Sequence, residues 1–404
     1  MRPCHICLLV LFGGLVWPGC QSTAPTARPA TPPFVFPPGK LAAMDTAIVE
    51  AIADHRAPGA VLWVEHAGTS YHKAYGNRAL EPVVETMTED TIFDAASLTK
   101  VIATTPAIML LAQRGALDVD APVQKYLEEF RRDGKDGITI RHLLTHTSGL
   151  KAGLSQRPEG AGSAIQIACQ EKVTNAPGTF FRYSDINFIL LGEIVQRVSG
   201  RPLDKFVADE IYRPLKMNDT RFLPWKTEGS RVAPTERDGT NAVLRAVVHD
   251  PTARRMGGVA GHAGLFTTAT NLARFARMML NQGELDGVRV FRPETISQMT
   301  TVQSPAGVPA KRGLGWDIDS AYSRPRGDIF PIGSYGHTGF TGTSLWIDPH
   351  SKTFCILLTN RVHPDGRGNI LPLQRLLGTL AAQAAGLEAP APAPSTGTNR
   401  PPVI

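Results

Sequence analysis

A serine and a lysine stand three residues apart at the point where a long apolar stretch begins. The segment reads Ser97-Leu98-Thr99-Lys100, and an apolar run over residues 101–111 follows it. If a helix begins at about Ser97, the two side chains lie on one helical face and within touching distance. A serine hydroxyl is a poor nucleophile until a base takes its proton, and a lysine whose charged form is disfavoured can be that base. The spacing predicts a serine nucleophile beside an amine, with a plain helix N-cap at Ser97 as the alternative.

The same S-x-x-K spacing occurs twice more in the chain, at Ser70/Lys73 and at Ser148/Lys151. Ser70 lies between two strand-like segments, and residues i and i+3 of a strand point to opposite faces. Ser148 stands next to a glycine, a residue type that commonly ends a helix. Only Ser97 opens a long helical run, so it is the candidate nucleophile.

A second element, Tyr183-x-Asp185, could carry the proton that an acyl transfer must move. It follows a turn over residues 175–178 and precedes an apolar helical run, so we expect it on a loop. The ordinary pKa of a phenol is about 10. Because the charge of Lys100 favours the phenolate, Tyr183 could exchange protons with Ser97 near neutral pH. Asp185 or Asn187 could bond Lys100 or a substrate amide; the alternative is a buried tyrosine beside an aspartate that caps the helix.

A third element, His337-Thr338-Gly339-Phe340, lies on a predicted strand between glycines near the C-terminus. Glycines there would let a substrate backbone approach the strand edge. The N–H of Phe340 and that of Ser97 could together form an oxyanion hole, and losing one such donor costs about 10²–10³ in rate. His337 or Thr338 could contact a substrate carboxylate.

Taken in this order, the three motifs resemble those of the serine beta-lactamase and penicillin-binding-protein superfamily. The tyrosine in the second motif resembles the class C beta-lactamase branch, with its low-molecular-weight penicillin-binding proteins and related esterases. The resemblance spans about residues 41–386. It implies a beta-lactamase/transpeptidase-like fold and a serine acyl-enzyme mechanism, and it implies no metal or organic cofactor.

On this resemblance, Ser97 attacks a carbonyl and Lys100 and Tyr183 take and return the proton. The implied substrates are small molecules or peptides derived from the cell wall, namely D-alanyl peptides of peptidoglycan, or small esters and amides. A beta-lactamase is an alternative, as is a non-catalytic cell-envelope binding protein of the same fold. Two departures weaken the beta-lactamase alternative. The third motif begins with His337 where many beta-lactamases have a lysine, and a histidine is only partly charged near pH 7. The second motif ends in Asp185 rather than in an asparagine.

The elements that must position these residues form an expected α+β fold. Strand-like segments lie near both ends of the chain, at 59–65, 70–76, 313–317, 333–337, 343–347 and 353–359. We expect them to meet in one antiparallel sheet, flanked by N- and C-terminal helices at about 41–55 and 371–385. A mostly helical insertion is expected at about 105–280, within one hydrolase domain over residues 40–388.

The first 20 residues are expected to be a signal peptide. Arg2 precedes an apolar run over residues 6–17, which is too short to span a bilayer. The run ends close to Gly19-Cys20, which resembles a lipoprotein signal with Cys20 as the lipidated residue; ordinary cleavage near Ala24 is the alternative. A proline-rich tether at 21–39 and a disordered tail at 389–404 complete the expected organisation. The chain would thus be exported to the periplasm or cell envelope, with lipid at Cys20 anchoring it to the membrane.

Composition and absent motifs exclude other classes of protein. The formal net charge of +6 is mild, and no basic run suggests a nucleic-acid partner. The pentapeptide G-x-S-x-G of α/β-hydrolases and the H-E-x-x-H of metallohydrolases are both missing from the sequence.

Several other residues are of types that could do chemistry, but the sequence assigns them no role. His142 and His146 could hold a metal, although a structural role is favoured because no glutamate or other ligand accompanies them. His262 lies in a glycine-rich segment, 256–264, and its role stays open. Cys169 and Cys355 are expected to be isolated buried thiols, with a disulfide as the alternative.

Overall fold

The computed structural model describes residues 9, 34–131, 134–224 and 226–389. The α-helices of the described part are α1 Pro38–Ala53, α2 Thr105–Gln113, α3 Ile140–Leu144, α4 Ala161–Gln170, α5 Asp185–Ser199, α6 Leu203–Val207, α7 Pro251–Arg255, α8 Ala269–Leu280, α9 Pro293–Thr300 and α10 Leu371–Ala384. The strands are β1 Gly59–His66, β2 Thr69–Ala79, β3 Glu85–Thr86, β4 Phe93–Asp94, β5 Arg221–Phe222, β6 Leu265–Thr267, β7 Glu284–Leu285, β8 Val288–Arg289, β9 Lys311–Arg312, β10 Asp317–Asp319, β11 Tyr335–Thr338, β12 Ser344–Asp348 and β13 Thr353–Thr359.

Eight of these strands form one antiparallel sheet in the order β3-β2-β1-β13-β12-β11-β10-β9. The N-terminal and C-terminal parts of the chain meet at its centre, where β1 pairs with β13 and Ala60 lies opposite Thr359. The expectation of a single antiparallel sheet built from both ends of the chain is confirmed.

Both faces of this sheet are covered, which explains why its central strands are almost continuously apolar. Side chains of β1 alternate between the faces, as a strand requires. Val61 and Trp63 belong to the core shared with the inserted helices, whereas Leu62 and Val64 belong to the core under α1 and α10. The sheet is therefore a rigid layer to which the third sequence motif, on β11, is fixed.

The stretch from 105 to 280 contains seven of the described α-helices, but it is not purely helical. It also contributes β5 and β6 to a small three-stranded sheet with β4. The last helix of the stretch, α8, packs directly against β1 and β13 of the large sheet. One continuous apolar core therefore joins the insertion to one face of the sheet.

The polypeptide enters the core helix through irregular turns. A 3₁₀ turn at Ala96–Leu98 is followed by a π-helical turn at Lys100–Thr104 and then by α2. The whole stretch, Ala96–Gln113, is apolar and 83% buried. The expected helix thus exists, but Ser97 precedes its regular part, and π turns often mark functional sites.

The predicted tether ends earlier than expected. Phe36 is 5% exposed and packs in the core under α1, and Phe34 lies against the same core. The carbonyl oxygen of Phe34 also accepts a hydrogen bond from Thr69 Oγ1 at 3.0 Å. Residues 34–39 therefore belong to the folded body, because two aromatic side chains outweigh the proline content. The predicted signal peptide apart from Leu9, Cys20 and nearly all of the tail lie outside the described residues.

Candidate active site

Ser97 lies in a tight turn that the chain reaches through a strained residue. Ala96 has a φ of +46°, in the left-handed region that costs a non-glycine residue about 1–2 kcal/mol. The buried carboxylate of Asp94 holds this turn by accepting the Ala96 N–H at 2.8 Å. Ser97 is partly exposed although its neighbours are buried. The turn therefore presents the hydroxyl of Ser97 to the outside of a rigid core.

Lys100 is wholly buried, and its ammonium group contacts three oxygen atoms. Its Nζ lies 3.0 Å from Ser97 Oγ, 2.9 Å from the carbonyl oxygen of His262 and 2.7 Å from Asp185 Oδ1. An ammonium group has three donors and no acceptor. Lys100 therefore directs a donor at the Ser97 oxygen, which leaves the serine hydrogen to point elsewhere.

The charges around Lys100 set the protonation of this cluster. Burial alone would lower the pKa of Lys100, but Asp185 and Tyr183 outweigh burial and raise it above its ordinary value. Burial raises the pKa of Tyr183, and Asp185 raises it further against the opposing effect of Lys100. In the free protein Lys100 is an ammonium and Tyr183 a neutral phenol. The expectation of a neutral lysine base is thus corrected by the carboxylate of Asp185, and that of a tyrosine that ionises near neutral pH is corrected chiefly by burial.

Tyr183 sits immediately before α5, with its ring stacked on that of His146 at a centroid distance of 4.5 Å. Lys100 Nζ lies 5.0 Å from the centre of the same ring. The Tyr183 hydroxyl is buried and interacts with Ser97 and Lys100, but it makes no well-directed hydrogen bond within the described residues. Its position is fixed by stacking, while its hydrogen remains available for transfer.

Asp185 is the first residue of α5, and its N–H donates to the carbonyl of Ala152 at 2.7 Å. Asn187, the other candidate partner of Lys100, instead accepts a hydrogen bond from Ser148 Oγ at 2.7 Å. Of these two candidates, Asp185 is therefore the one that contacts Lys100.

His337 lies on β11 and is neutral at neutral pH. Burial lowers its pKa well below the ordinary value, and the charges of Arg312 and Lys100 act in the same direction. Its Nδ1 lies 2.8 Å from the carbonyl oxygen of Thr338, which can only accept, so Nδ1 carries the hydrogen and Nε2 is a buried acceptor. The expectation that His337 is partly charged near neutral pH is corrected by this burial.

Two backbone N–H groups are available to stabilise an oxyanion. Within the described part of the chain, neither the Ser97 N–H nor the Phe340 N–H donates to a protein acceptor. The turn that carries Phe340 is tied to the segment before the serine, because Thr341 Oγ1 donates to the Asp94 carbonyl at 2.8 Å and Thr343 Oγ1 to the Ala95 carbonyl at 3.0 Å. The first and third motifs are thus joined by direct hydrogen bonds.

Gly339 makes this close approach possible. A Cβ at this position would lie 2.1 Å from Thr343 Oγ1 and 2.5 Å from the carbonyl oxygen of Ala95. Any side chain would push the third motif away from Ser97. The glycine is required here by the contact between backbones rather than by a turn conformation.

His262 contributes its backbone rather than its ring to the cluster. Its side chain is 1% exposed, and its Nε2 lies 2.9 Å from Asp250 Oδ1. Its carbonyl oxygen is the acceptor for Lys100 described above. The glycine-rich segment flagged in the sequence therefore delivers a carbonyl to Lys100.

A cavity of about 510 Å³ opens over these groups and is lined by Ser97, Tyr183, His337, Thr338, Gly339 and Phe340. Three arginines that the sequence did not single out also line it: Arg312, Arg324 and Arg361. Arg312 is wholly buried and lies 3.1 Å from Asp317 Oδ1. The sequence around these three arginines gave no indication that they line the cavity. Asp94 was also missed, although a lone acidic residue in the apolar segment before Ser97 could have drawn attention.

The other sequence candidates take no direct part in this cluster, although His146 stacks on Tyr183. Ser70 and Lys73 are on β2, as expected. His142 Nδ1 bonds at the start of α3 and His146 Nδ1 accepts the Ser184 N–H at 3.0 Å, so both histidines have structural partners. Among the described residues, no three metal-ligating side chains come together. Cys169 and Cys355 are buried free thiols, which excludes the alternative of a disulfide between them.

Comparison with known proteins supports the same class. A family profile described as Beta-lactamase matches residues 44–379. An Escherichia coli (strain K12) protein named "Putative D-alanyl-D-alanine carboxypeptidase" is 34% identical over 324 residues, covering 72% of this chain and 74% of that protein. A Bacillus subtilis (strain 168) protein named N-acetylmuramyl-L-alanine amidase is 34% identical over 345 residues, covering 76% of this chain and 78% of that protein.

A solved structure has the same fold. The penicillin-binding protein homologue from Caulobacter crescentus superimposes with a TM-score of 0.69 at 21% identity, covering 87% of this chain and 99% of that chain. The fold, the site and the relatives define a serine hydrolase. The chain belongs to the beta-lactamase family, within the serine beta-lactamase and penicillin-binding-protein superfamily.

Proposed function

We propose that the chain hydrolyses D-alanyl peptides of peptidoglycan, as a carboxypeptidase of the penicillin-binding type, or small esters and amides, through an acyl-enzyme on Ser97. The observation that carries the proposal is the contact of Lys100 Nζ with Ser97 Oγ and Asp185 Oδ1, beneath an open cavity. The names of two relatives, a carboxypeptidase and an amidase of cell-wall substrates, support the substrate class.

The proton of Ser97 travels through Tyr183 in this proposal. Lys100 is an ammonium, which has donors but no acceptor, so it cannot accept the serine proton. Tyr183 is a neutral phenol, which can accept a proton at its oxygen while it passes its own to the leaving group. Because the proton lost by Ser97 ends on the leaving nitrogen, acylation needs no net base. The charge of Lys100 stabilises the phenolate character that develops on Tyr183 during the transfer.

Two half-reactions complete the cycle. Ser97 Oγ forms a bond with the substrate carbonyl carbon, and the negative charge that moves onto the carbonyl oxygen is held by the N–H groups of Ser97 and Phe340. The bond to the leaving group then breaks and leaves an ester on Ser97. Water attacks this ester, gives one proton back to Ser97 Oγ through Tyr183, and releases the acid.

The amide bond between a muramyl lactyl group and L-alanine is a second candidate, favoured by the B. subtilis amidase relative. A beta-lactamase is a third candidate, because a neutral His337 does not separate it from the carboxypeptidase, whose peptide substrate also ends in a carboxylate. Product analysis with two peptides separates the amidase from the carboxypeptidase, and a parallel assay with a penicillin identifies a beta-lactamase. An acylated L-Lys-D-Ala-D-Ala peptide and a muramyl-L-alanyl peptide are each incubated with the protein and with Ser97→Ala, and the released products are identified.

Release of D-alanine by the wild type and not by Ser97→Ala supports the carboxypeptidase. Release of L-alanyl peptide alone assigns the amidase. A fluorescent penicillin in parallel distinguishes a stable adduct on Ser97, expected of a penicillin-binding protein, from rapid drug hydrolysis, expected of a beta-lactamase. Absence of turnover with every peptide, penicillin and p-nitrophenyl ester would overturn the proposed activity in favour of a binding protein.

We also propose that the chain is exported and anchored in the cell envelope by lipid on Cys20. The support is the apolar segment that ends just before this cysteine. In cells fed a radiolabelled fatty acid, the wild type should carry label and fractionate with membranes, and Cys20→Ala should do neither. Unlabelled wild-type protein with an N-terminus near Ala24 would assign ordinary signal cleavage instead.

A further inference from the structure

Arg361 follows β13 and holds three backbone carbonyls beside the oxyanion hole. Its Nε donates to the carbonyl oxygen of Phe340 at 2.9 Å. Its Nη1 donates to the carbonyls of Gly368 at 2.8 Å and Gly366 at 3.3 Å. The rigid fork of a guanidinium suits such multiple contacts, whereas a lysine has a single flexible ammonium. One side chain thus connects the Phe340 turn to the loop that precedes α10.

The same guanidinium also stacks on the side chain of Phe340. Its centre lies 4.5 Å from the centre of the Phe340 ring, and His249 stacks on the ring at 5.5 Å. The Phe340 side chain is 62% exposed, so the hydrophobic core does not fix it. Arg361 therefore restrains residue 340 through its carbonyl and through its ring.

The charge of Arg361 is not neutralised by a contacting carboxylate. Within the described residues, no Asp or Glu lies within ion-pair distance of it, and Glu236 acts on it only from longer range. Half-burial lowers its pKa, against that weak opposing effect. Arg312, in the same cavity, has Asp317 as a counter-ion. A half-buried cation that is bonded only to carbonyls strengthens the positive potential next to the Phe340 peptide.

We propose that Arg361 is a positioning residue for the oxyanion hole. By holding the carbonyl and the ring of Phe340 it restrains the backbone of this residue, so that the N–H on its other side points at the substrate oxygen, and its charge favours the anion that forms there. The proposal rests on the proposed acyl-enzyme function, in which the carbonyl oxygen gains one negative charge as Ser97 attacks. Misplacing a donor by a small distance weakens transition-state binding more than substrate binding.

Two substitutions separate the fork from the charge. Arg361→Met removes both the forked hydrogen-bond donors and the positive charge. We expect kcat to fall by at least about tenfold and KM to change by less than about threefold. This loss in kcat is smaller than the loss caused by removing a whole oxyanion-hole donor. Arg361→Lys keeps the charge and should recover part of the lost kcat. A purely structural role would instead lower the amount of folded protein and leave kcat per folded molecule unchanged.

A simple aryl boronic acid tests the proposal without knowledge of the natural substrate. It forms a tetrahedral anion on an active serine, so its affinity reports the oxyanion hole directly. We expect Kd for the boronic acid to rise by at least about tenfold in Arg361→Met, with an intermediate value in Arg361→Lys. Arg375→Met is the matched control, because Arg375 is exposed, pairs with Asp328 at 2.6 Å and does not line the catalytic cavity.

The outcomes distinguish this proposal from the proposed function. Wild-type boronate affinity in Arg361→Met, with boronate bound to Ser97, would overturn the role of Arg361 and leave the acyl-enzyme proposal intact. Failure of the wild-type protein to bind boronate through Ser97 would overturn both. Melting temperatures show whether each variant is folded. If Arg361→Met does not fold, the boronate affinity of Arg361→Lys is used instead. An affinity equal to that of the wild type would contradict a role for the forked guanidinium group.

Discussion

Lys100 Nζ and Asp185 Oδ1 lie 2.7 Å apart, with Lys100 wholly buried and the Asp185 side chain 37% exposed. The contact gives the buried lysine a counter-charge from the start of α5. It joins the first sequence motif to the second. It also keeps Lys100 protonated, so the pair acts as a fixed electrostatic frame around Ser97 and Tyr183.

Replacing this carboxylate with an amide should shift the pH dependence of the reaction. The charge of Asp185 raises the pKa of both Lys100 and Tyr183. In Asp185→Asn both pKa values fall, so the pair loses a proton at lower pH. If the active form has Lys100 charged and Tyr183 neutral, the alkaline limb of the kcat/KM profile moves to lower pH. The shift is measured by comparing kcat/KM as a function of pH for the wild type and for Asp185→Asn with the same ester substrate.

Asp185→Glu is the control for this experiment because it retains the negative charge. Its alkaline limb should stay closer to that of the wild type than the limb of Asp185→Asn does. An unmoved limb in Asp185→Asn would contradict electrostatic control of the pair by Asp185.

Tyr183 should carry protons rather than only fill space. Tyr183→Phe keeps the ring that stacks on His146 and removes the hydroxyl, so the variant should fold normally. We expect kcat/KM to fall about 10²-fold or more, within the range for general acid–base groups. Tyr322 lines the same cavity and provides the control, since Tyr322→Phe should remain within about threefold of the wild type. An effect of Tyr183→Phe below about threefold would assign proton transfer to another group.

Gly339 should tolerate no side chain. In Gly339→Ala the new Cβ meets Thr343 Oγ1 and the Ala95 carbonyl, so the Phe340 turn must move away from Ser97. The expected loss in kcat is about 10²–10³, comparable to the loss of one oxyanion donor. Gly162→Ala, where the helix α4 offers open space, should keep both activity and melting temperature. Wild-type kcat in Gly339→Ala would show that the spacing of the two motifs is unimportant.

Much of the fold could be predicted from sequence because it depends on local patterns. The apolar segments now seen as β1 and β13 were each recognisable, and their pairing followed from the class of fold. Residues 34–39 were misassigned because proline content masked the packing of Phe34 and Phe36. Long-range contacts of single aromatic residues leave no periodic signal in the sequence.

The motifs were predictable, but their protonation was not. Types and spacing singled out Ser97, Lys100 and Tyr183, which the structure brings together. The charge state of Lys100 depends on burial and on contact with Asp185, and neither quantity can be read from spacing. Arg361 was missed for a related reason, since residue types and spacing do not show which carbonyl groups a guanidinium will contact.

The most direct test of Ser97 as the nucleophile is to find which residue a p-nitrophenyl ester acylates. The protein is mixed with the ester, quenched in acid within the first turnover, and measured by intact mass and peptide mapping. We expect one acyl group on Ser97 in the wild type and none in Ser97→Ala. Ser70→Ala, in which the replaced serine shares the S-x-x-K spacing but lies on β2, should carry the same acyl group on Ser97. An acyl group on another residue, or undiminished turnover by Ser97→Ala, would contradict the assignment of Ser97 as the nucleophile.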